Sequence, residues 1–311
     1  MSEYIIGMDG GGTKTKVLIA DRNQNILEEL TAGAINYNGA KKEEVDQNIQ
    51  GIFHALEDKG YKKDNCRGIC IGTAGISNPL VTEYMKENMN HFGYTCPAAI
   101  VGDHETALAG ALMQTEGIIV IAGTGSICYG KDEYGNTYRT GGFGYLIDDE
   151  GSGYAIGRDI LSAVVRAYDK RAEDTVFTKL VFEYLHIQSI EELIRYVYNP
   201  KHSKKEIAKL SILIEEAYRL QDMAALAIMD KCVRGLVDLT RPILTHMKEN
   251  CIVAAAGSVL LNNQNILEGF TAGMKREFPN ISIIKPKKDA AYGAVILAAK
   301  KDAKALESRL A

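Results

Sequence analysis

The chain has 311 residues, 46% apolar and 24% charged, the balance of a soluble globular protein with core enough for two domains. A formal net charge of −4 argues against a nucleic-acid or anionic-membrane partner, so any polyanion must be held locally. No early apolar stretch reads as a signal peptide and no apolar run is long enough to cross a bilayer, which predicts a cytoplasmic protein.

Strands are predicted at 4–9, 15–21 and 25–32, the last two joined through Asp21-Arg22-Asn23-Gln24-Asn25. Between the first two lies Asp9-Gly10-Gly11-Gly12-Thr13-Lys14. A glycine-rich turn lets backbone N–H groups converge on an anion because no Cβ blocks the approach. Asp9 offers a hard oxygen suited to Mg²⁺, and Thr13 and Lys14 complete a polyphosphate site. The same hexamer is also compatible with an ordinary hairpin loop. The Gly-x-x-x-x-Gly-Lys-[Ser/Thr] pattern of a P-loop is absent.

Apolar residues at helical spacing (Val45, Ile49, Ile52, Phe53, Leu56) predict a helix over 42–59. A strand at 67–73, a helix near 80–91, a strand at 98–102 and a helix over 104–114 follow. The pattern then restarts. Gly117 to Ala122 reads as a buried strand leading into a second glycine turn, Gly123-Thr124-Gly125-Ser126. A strand from Ile127 to Gly130, the turn Asp132 to Asn136 and a third strand repeat the first thirty residues element by element. Near the C-terminus, Ile281 to Ile284 leads through Asp289 into Tyr292-Gly293-Ala294-Val295, echoing the passage from Ala98 to Leu112. Such self-similarity predicts a duplicated α/β unit, with a ligand cleft between two lobes.

The expected lobes are 1–115 and 116–296, with a helical insertion over about 153–250 and a C-terminal helix, 297–311, returning to the first lobe. Within the insertion, 205–220 and 222–247 read as single helices, the latter kinked or divided at Pro242. The six cysteines form no Cys-x-x-Cys pair and read as reduced thiols; the six histidines lack metal-ligand spacing, so no zinc site is expected.

Asp103 ends an apolar strand, the edge at which α/β sheets bind ligands, and is placed either as a base for a substrate hydroxyl or as a helix N-cap. Gly141-Gly142-Phe143-Gly144 and the acidic run Asp148-Asp149-Glu150 read as a sugar-binding loop, or as a solvated turn with Asp149 or Ser152 capping the next helix. Asn36, in Gly33 to Gly39, has donors and acceptors for a sugar or simply forms a turn. Gly257-Ser258 after a strand is compatible with close approach to a nucleoside or with a plain strand-to-helix turn.

Together these stretches resemble the acetate kinase, sugar kinase, Hsp70 and actin superfamily, a duplicated ribonuclease H-like fold. Within it the chain resembles the BadF/BadG/BcrA/BcrD-type ATPases, and among those the N-acetylglucosamine kinases. The resemblance rests on Asp9 to Thr15, Ala122 to Ser126, Gly141 to Gly144 and Asp149 to Ser152, and covers essentially the whole chain. It implies ATP and Mg²⁺ as cofactors. Gly11, Gly12, Thr13 and Lys14 would then form the first phosphate turn with Asp9 near the metal. Gly123, Thr124 and Gly125 would form the second, with Gly257 and Ser258 at the adenosine and Ala208 lining the adenine pocket. Asp103 would be the base; Asn36, Gly142, Phe143 and Asp149 would bind the amino sugar, with Ser126 nearby. The family often has Trp where this chain has Phe143, and the chain has no Trp.

The expected activity is an ATP-dependent amino-sugar kinase acting on the 6-hydroxyl of N-acetylglucosamine, in a homodimer. N-acetylmuramic acid or glucosamine are alternative acceptors. The same family implies a further alternative, an ATPase activator of 2-hydroxyacyl-CoA dehydratases, which holds an iron–sulfur cluster on cysteines that this chain lacks in cluster arrangement. A sugar-sensing binding module is a third reading.

Overall fold

The structure, a computed structural model, describes residues 2–36, 42–76 and 78–310. Two units form: one takes the chain up to Gly117 and again from Pro286, and the other is Ile118–Lys285. In chain order the first unit carries β1 (Tyr4–Gly10), β2 (Lys14–Ala20), β3 (Ile26–Gly33), α1 (Lys42–Asp58), β4 (Cys66–Thr73), α2 (Pro79–His91), β5 (Ala98–Gly102) and α3 (Asp103–Leu112). The second begins with β6 (Gly117–Ala122), β7 (Ser126–Lys131) and β8 (Thr137–Gly141). Helices follow: α4 (Gly153–Tyr168), α5 (Phe177–Leu185), α6 (Ile190–Val197), α7 (Lys204–Lys209), α8 (Ile214–Arg219) and α9 (Met223–Leu244). β9 (Ile252–Ala256), α10 (Ser258–Asn262), α11 (Gln264–Glu277) and β10 (Ser282–Ile284) complete it, and α12 (Ala290–Leu310) belongs to the first unit.

Both sheets have five strands in the same order: β3-β2-β1-β4-β5 and β8-β7-β6-β9-β10. β1 runs antiparallel to β2 and parallel to β4; β6 likewise runs parallel to β9. β1 is buried along nearly its whole length, as a central strand covered on both faces must be. The duplication extends to single hydrogen bonds. In the β2–β3 turn the Asp21 carboxylate accepts from the N–H of Asn23 (2.8 Å), the N–H of Asn25 (2.9 Å) and the Asn25 amide (2.8 Å). In the β7–β8 turn Asp132 accepts from Tyr134 (3.0 Å) and twice from Asn136 (2.8 Å each). Gln24 and Gly135 occupy the same left-handed position, φ 67° and 90°.

In the first unit α1 and α2 cover one face of the sheet with Val45, Ile49, Phe53 and Met85, while α12 covers the other with Ala291, Ala294, Val295 and Ala298. A Cβ at Gly7 or Gly68 would strike the backbone of α12, so these glycines let that helix lie close on β1 and β4. The whole of α12, not its last fifteen residues, therefore sides with the first unit. The echoed segments meet there, with Gly110 of α3 against Gly293 of α12.

In the second unit α4, α9 and α11 build the core on β6, β7 and β9 through Ile160, Val164, Leu236 and Phe270. The stretch expected as one helix over 205–220 is instead α7, a 3₁₀ turn at Leu210–Leu213, and α8. Periodicity missed the break because the tighter turn leaves buried residues at Leu210 and Ile214, a spacing that also suits a continuous helix. Pro242 does not divide α9: the helix runs through it to Leu244, two residues further on. No described helix is long and apolar enough to cross a membrane.

Candidate active site

In the first unit the turn Gly11-Gly12-Thr13 links β1 to β2, closed by the Gly11 N–H donating to the Lys14 carbonyl at 3.1 Å. Nothing lies within 4 Å of a Cβ built at Gly12, and its φ is not positive, so no intramolecular contact requires glycine there. The same holds for Gly123 in the β6–β7 turn, whose N–H donates to the Gly125 carbonyl at 2.9 Å. Two equivalent turns thus leave open space over their backbone, the property a close-approaching anion uses.

Asp9, near the end of β1, has its carboxyl pushed up to about 6 by burial, with the Asp103 and Asp289 carboxylates adding and the Lys16 and Lys14 ammonium groups opposing. Asp289 accepts from the Tyr292 N–H (3.0 Å) and from Lys16 Nζ (2.9 Å). Burial raises its pKa, but these partners outweigh it and hold the carboxyl below the ordinary range. Asp103 is the first residue of α3 and not its N-cap, which is Gly102. The Asp103 side chain is 52% exposed; its Oδ1 accepts from the His104 N–H at 2.9 Å and lies 3.4 Å from His104 Nδ1. That pairing with the His104 ring, against the opposing effect of burial, holds Asp103 below the usual carboxylate range. Two neighbouring carboxyls are therefore driven apart, one kept ionised and the other primed for a cation. Asp9 fits a hydrated divalent ion: its site carries surplus negative charge, and such an ion needs few protein ligands. Among the described residues no three His, Cys, Asp or Glu side chains gather as a dedicated metal cage. Asn36 is half-buried just beyond β3, and Tyr37-Asn38-Gly39 lie outside the described residues.

In the second unit Gly123, Thr124, Ala208 and Ser258, far apart in the chain, line one pocket of about 570 Å³. Gly153, Ile156, Val259 and Ile266 contribute to the same wall. α4 reaches the glycine turn directly: Gly153 N–H donates to the Gly123 carbonyl (2.7 Å) and Tyr154 N–H to that of Thr124 (3.2 Å). α7 packs on α4 at Gly157, where a Cβ would collide with the Ile207 carbonyl, and so Ala208 is set at the pocket. A capping box pins the start of α7: Ser203 Oγ accepts from the Lys205 N–H, and Glu206 accepts from the Ser203 hydroxyl and N–H. Those bonds from Ser203 hold the Glu206 carboxyl down at about 2. Lys205, Lys209, Ser211, Glu215 and Asn262 also line the pocket. They were not singled out from the sequence, although Lys205, Ala208 and Lys209 share a helical face by their spacing.

Gly257 has φ 86°, and a Cβ there would run into the backbone of Ala122, the residue before the second glycine turn. Gly257→Ala is expected to cost about 2 kcal/mol or more through strain and clash together. Thermal melts of wild type and variant would read that loss.

The expected sugar loop divides. Gly142 (φ 72°) and Phe143 (67% exposed) sit at the surface, the Phe143 N–H donating to Asp148 Oδ2 at 2.8 Å. Asp149 points inward instead: 3% exposed, with φ 70°, its Oδ1 accepts from the Ser126 N–H at 3.1 Å. The Ser126 hydroxyl donates to the Glu150 carbonyl at 2.7 Å. Gly125 makes room, since a Cβ there would lie 2.8 Å from the Asp149 carboxylate. Ser126 and Asp149 thus brace the loop against the second glycine turn. Ser152, the alternative cap, is the residue that caps α4, accepting from the Ala155 N–H at 3.1 Å.

Two sheets of one topology, two open glycine turns and a nucleoside-sized pocket beside one of them define the sugar kinase, Hsp70 and actin class of fold. A solved chain from Chromobacterium violaceum, assigned as an N-acetylglucosamine kinase, superposes with a TM-score of 0.77 at 23% identity, covering 95% of this chain and 99% of that one. The sequence profile of the BadF/BadG/BcrA/BcrD ATPase family matches residues 6–298, and the chain belongs to that family. It is 37% identical over 300 residues to the N-acetylmuramic acid/N-acetylglucosamine kinase of Clostridium acetobutylicum, spanning 95% of this chain and 98% of the relative. It is 29% identical over 318 residues to the N-acetyl-D-glucosamine kinase of Dictyostelium discoideum, again over 95% and 98%.

Proposed function

We propose that this protein is an ATP-dependent amino-sugar kinase that phosphorylates the 6-hydroxyl of N-acetylglucosamine and also accepts N-acetylmuramic acid. The observation that carries the reading is the likeness, over nearly the full length of both chains, to the Clostridium acetobutylicum kinase. Adenosine occupies the pocket lined by Ala208 and Ser258, its flat base against Ile156, Ile212 and Val259. Thr124 with the Gly123–Gly125 turn binds phosphate oxygens, as do Gly11, Gly12, Thr13 and Lys14. Asp103, ionised at neutral pH, orients the sugar hydroxyl and takes its proton. Asp9 would hold Mg²⁺, and the ion would supply charge neutralisation for phosphoryl transfer. Asn36, Gly142 and Phe143 contact the sugar, while Ser126 and Asp149 keep the loop in place. A cytoplasmic homodimer is part of the same proposal.

The test is ADP release in the presence of N-acetylglucosamine, N-acetylmuramic acid, glucosamine and no sugar. Stimulation of at least tenfold by one of the N-acetylated sugars is expected. ATP hydrolysis indifferent to every sugar would favour an ATPase that drives a protein partner.

A further inference from the structure

β8 carries a cation, Arg139, beside the loop that follows it. Arg139 is exposed, and its guanidinium is nevertheless held in place. Its Nε donates to the Gly141 carbonyl at 3.1 Å and its Nη2 to the Gly142 carbonyl at 2.7 Å. The guanidinium carbon stands 4.9 Å from the centre of the Phe143 ring. Arg158, Arg171 and Arg241 each hold a carboxylate. Among the described residues Arg139 holds none. In the loop that follows, Asp148 accepts from the Phe143 N–H and Asp149 from the Ser126 N–H. The bonds to Gly141 and Gly142 use two of the five N–H groups that a guanidinium carries.

A guanidinium fixed by two carbonyls and a ring has already lost most of its rotamer freedom. It can accept a carboxylate with little further ordering, in the paired geometry that planar fork and planar anion share. N-acetylmuramic acid differs from N-acetylglucosamine by a lactyl ether on the 3-oxygen, and that ether ends in a carboxylate. We propose that Arg139 receives this carboxylate, so that the surface of Gly142 and Phe143 is a site for acidic amino sugars. The proposal rests on the amino-sugar kinase reading and specifies its acceptor.

The experiment compares kcat/KM for N-acetylmuramic acid, its methyl ester and N-acetylglucosamine in the wild type, Arg139→Gln and Arg139→Lys. Arg139→Gln is expected to lower the ratio of acid to neutral sugar at least tenfold, chiefly through KM. Arg139→Lys keeps the charge without the fork and should recover only part of it. The methyl ester should show no such dependence on residue 139. A ratio that moves less than twofold in both variants overturns the proposal. So does a wild type that phosphorylates N-acetylglucosamine but not the acid, which leaves the kinase reading standing. If no sugar is turned over at all, the kinase reading fails and the proposal falls with it.

Discussion

Asp103→Asn should fold, bind ATP, and turn over sugar about 10²- to 10⁴-fold more slowly, the range a positioned general base supplies. The substitution changes almost nothing else. Asn keeps an oxygen for the His104 N–H, and the half-exposed side chain is packed into no core. The carboxylate that the His104 ring keeps ionised becomes a neutral amide, which cannot take the hydroxyl proton. The informative comparison is of kcat against KM for both substrates: the loss should fall on kcat, with KM for ATP within a few-fold of wild type. Turnover near the wild-type rate would remove Asp103 from the chemistry and leave it as a first-turn helix residue.

Asp9→Asn should move activity and stability in opposite directions. Turnover should fall about 10³-fold or more, because the carboxylate proposed to hold Mg²⁺ is gone. Stability at neutral pH should rise by about 1–3 kcal/mol, since the wild-type carboxyl is strained towards its neutral form. Its folded-state pKa of about 6 lies above the ordinary value of 3.8. The folded protein therefore binds this proton more tightly than the unfolded chain does. The penalty is absent below the ordinary value, grows as pH rises, and is complete above about 6. Melting curves of wild type and Asp9→Asn should converge near pH 4 and separate by pH 7 to 8. In the wild type, activity should decline below about pH 6 as Asp9 protonates, and higher Mg²⁺ should shift that decline to lower pH. A variant that is active, or less stable than wild type at pH 8, contradicts the assignment.

The turns made from local backbone chemistry were legible in the sequence. Glycine turns between apolar strands at Gly11–Gly12 and Gly123–Gly125 read correctly because their cause, the missing Cβ, is written in the residues themselves. The paired Asp-to-Asn turns at Asp21 and Asp132 are equally local, and they expose the repeat. What stayed hidden depends on partners distant in the chain. Asp149 looks like a ligand-facing acid in a glycine-rich loop, and only the fold brings the Ser126 N–H to it and shuts it off from solvent. Lys205 and Lys209 were not singled out, because α10 and α11, which close the far wall of their pocket, lie about fifty residues further along the chain. The 3₁₀ turn at Leu210–Leu213 escaped because its spacing of buried residues also suits an α-helix. The inward small residues of α12 look unremarkable alone, and gain meaning only beside Gly7 and Gly68.

That last helix bears on how the protein is made. Synthesis delivers β1 to β5 long before α12, so Ile5, Leu18, Cys70 and Ala99 emerge with nothing to lie against on one side of their sheet. The Ile118–Lys285 unit is contiguous and can complete its own interior while the earlier half waits. A unit begun by β1 and closed only by α12 stays open on one face while all that lies between them is translated, and it is in that interval that a chaperone would find apolar surface to hold.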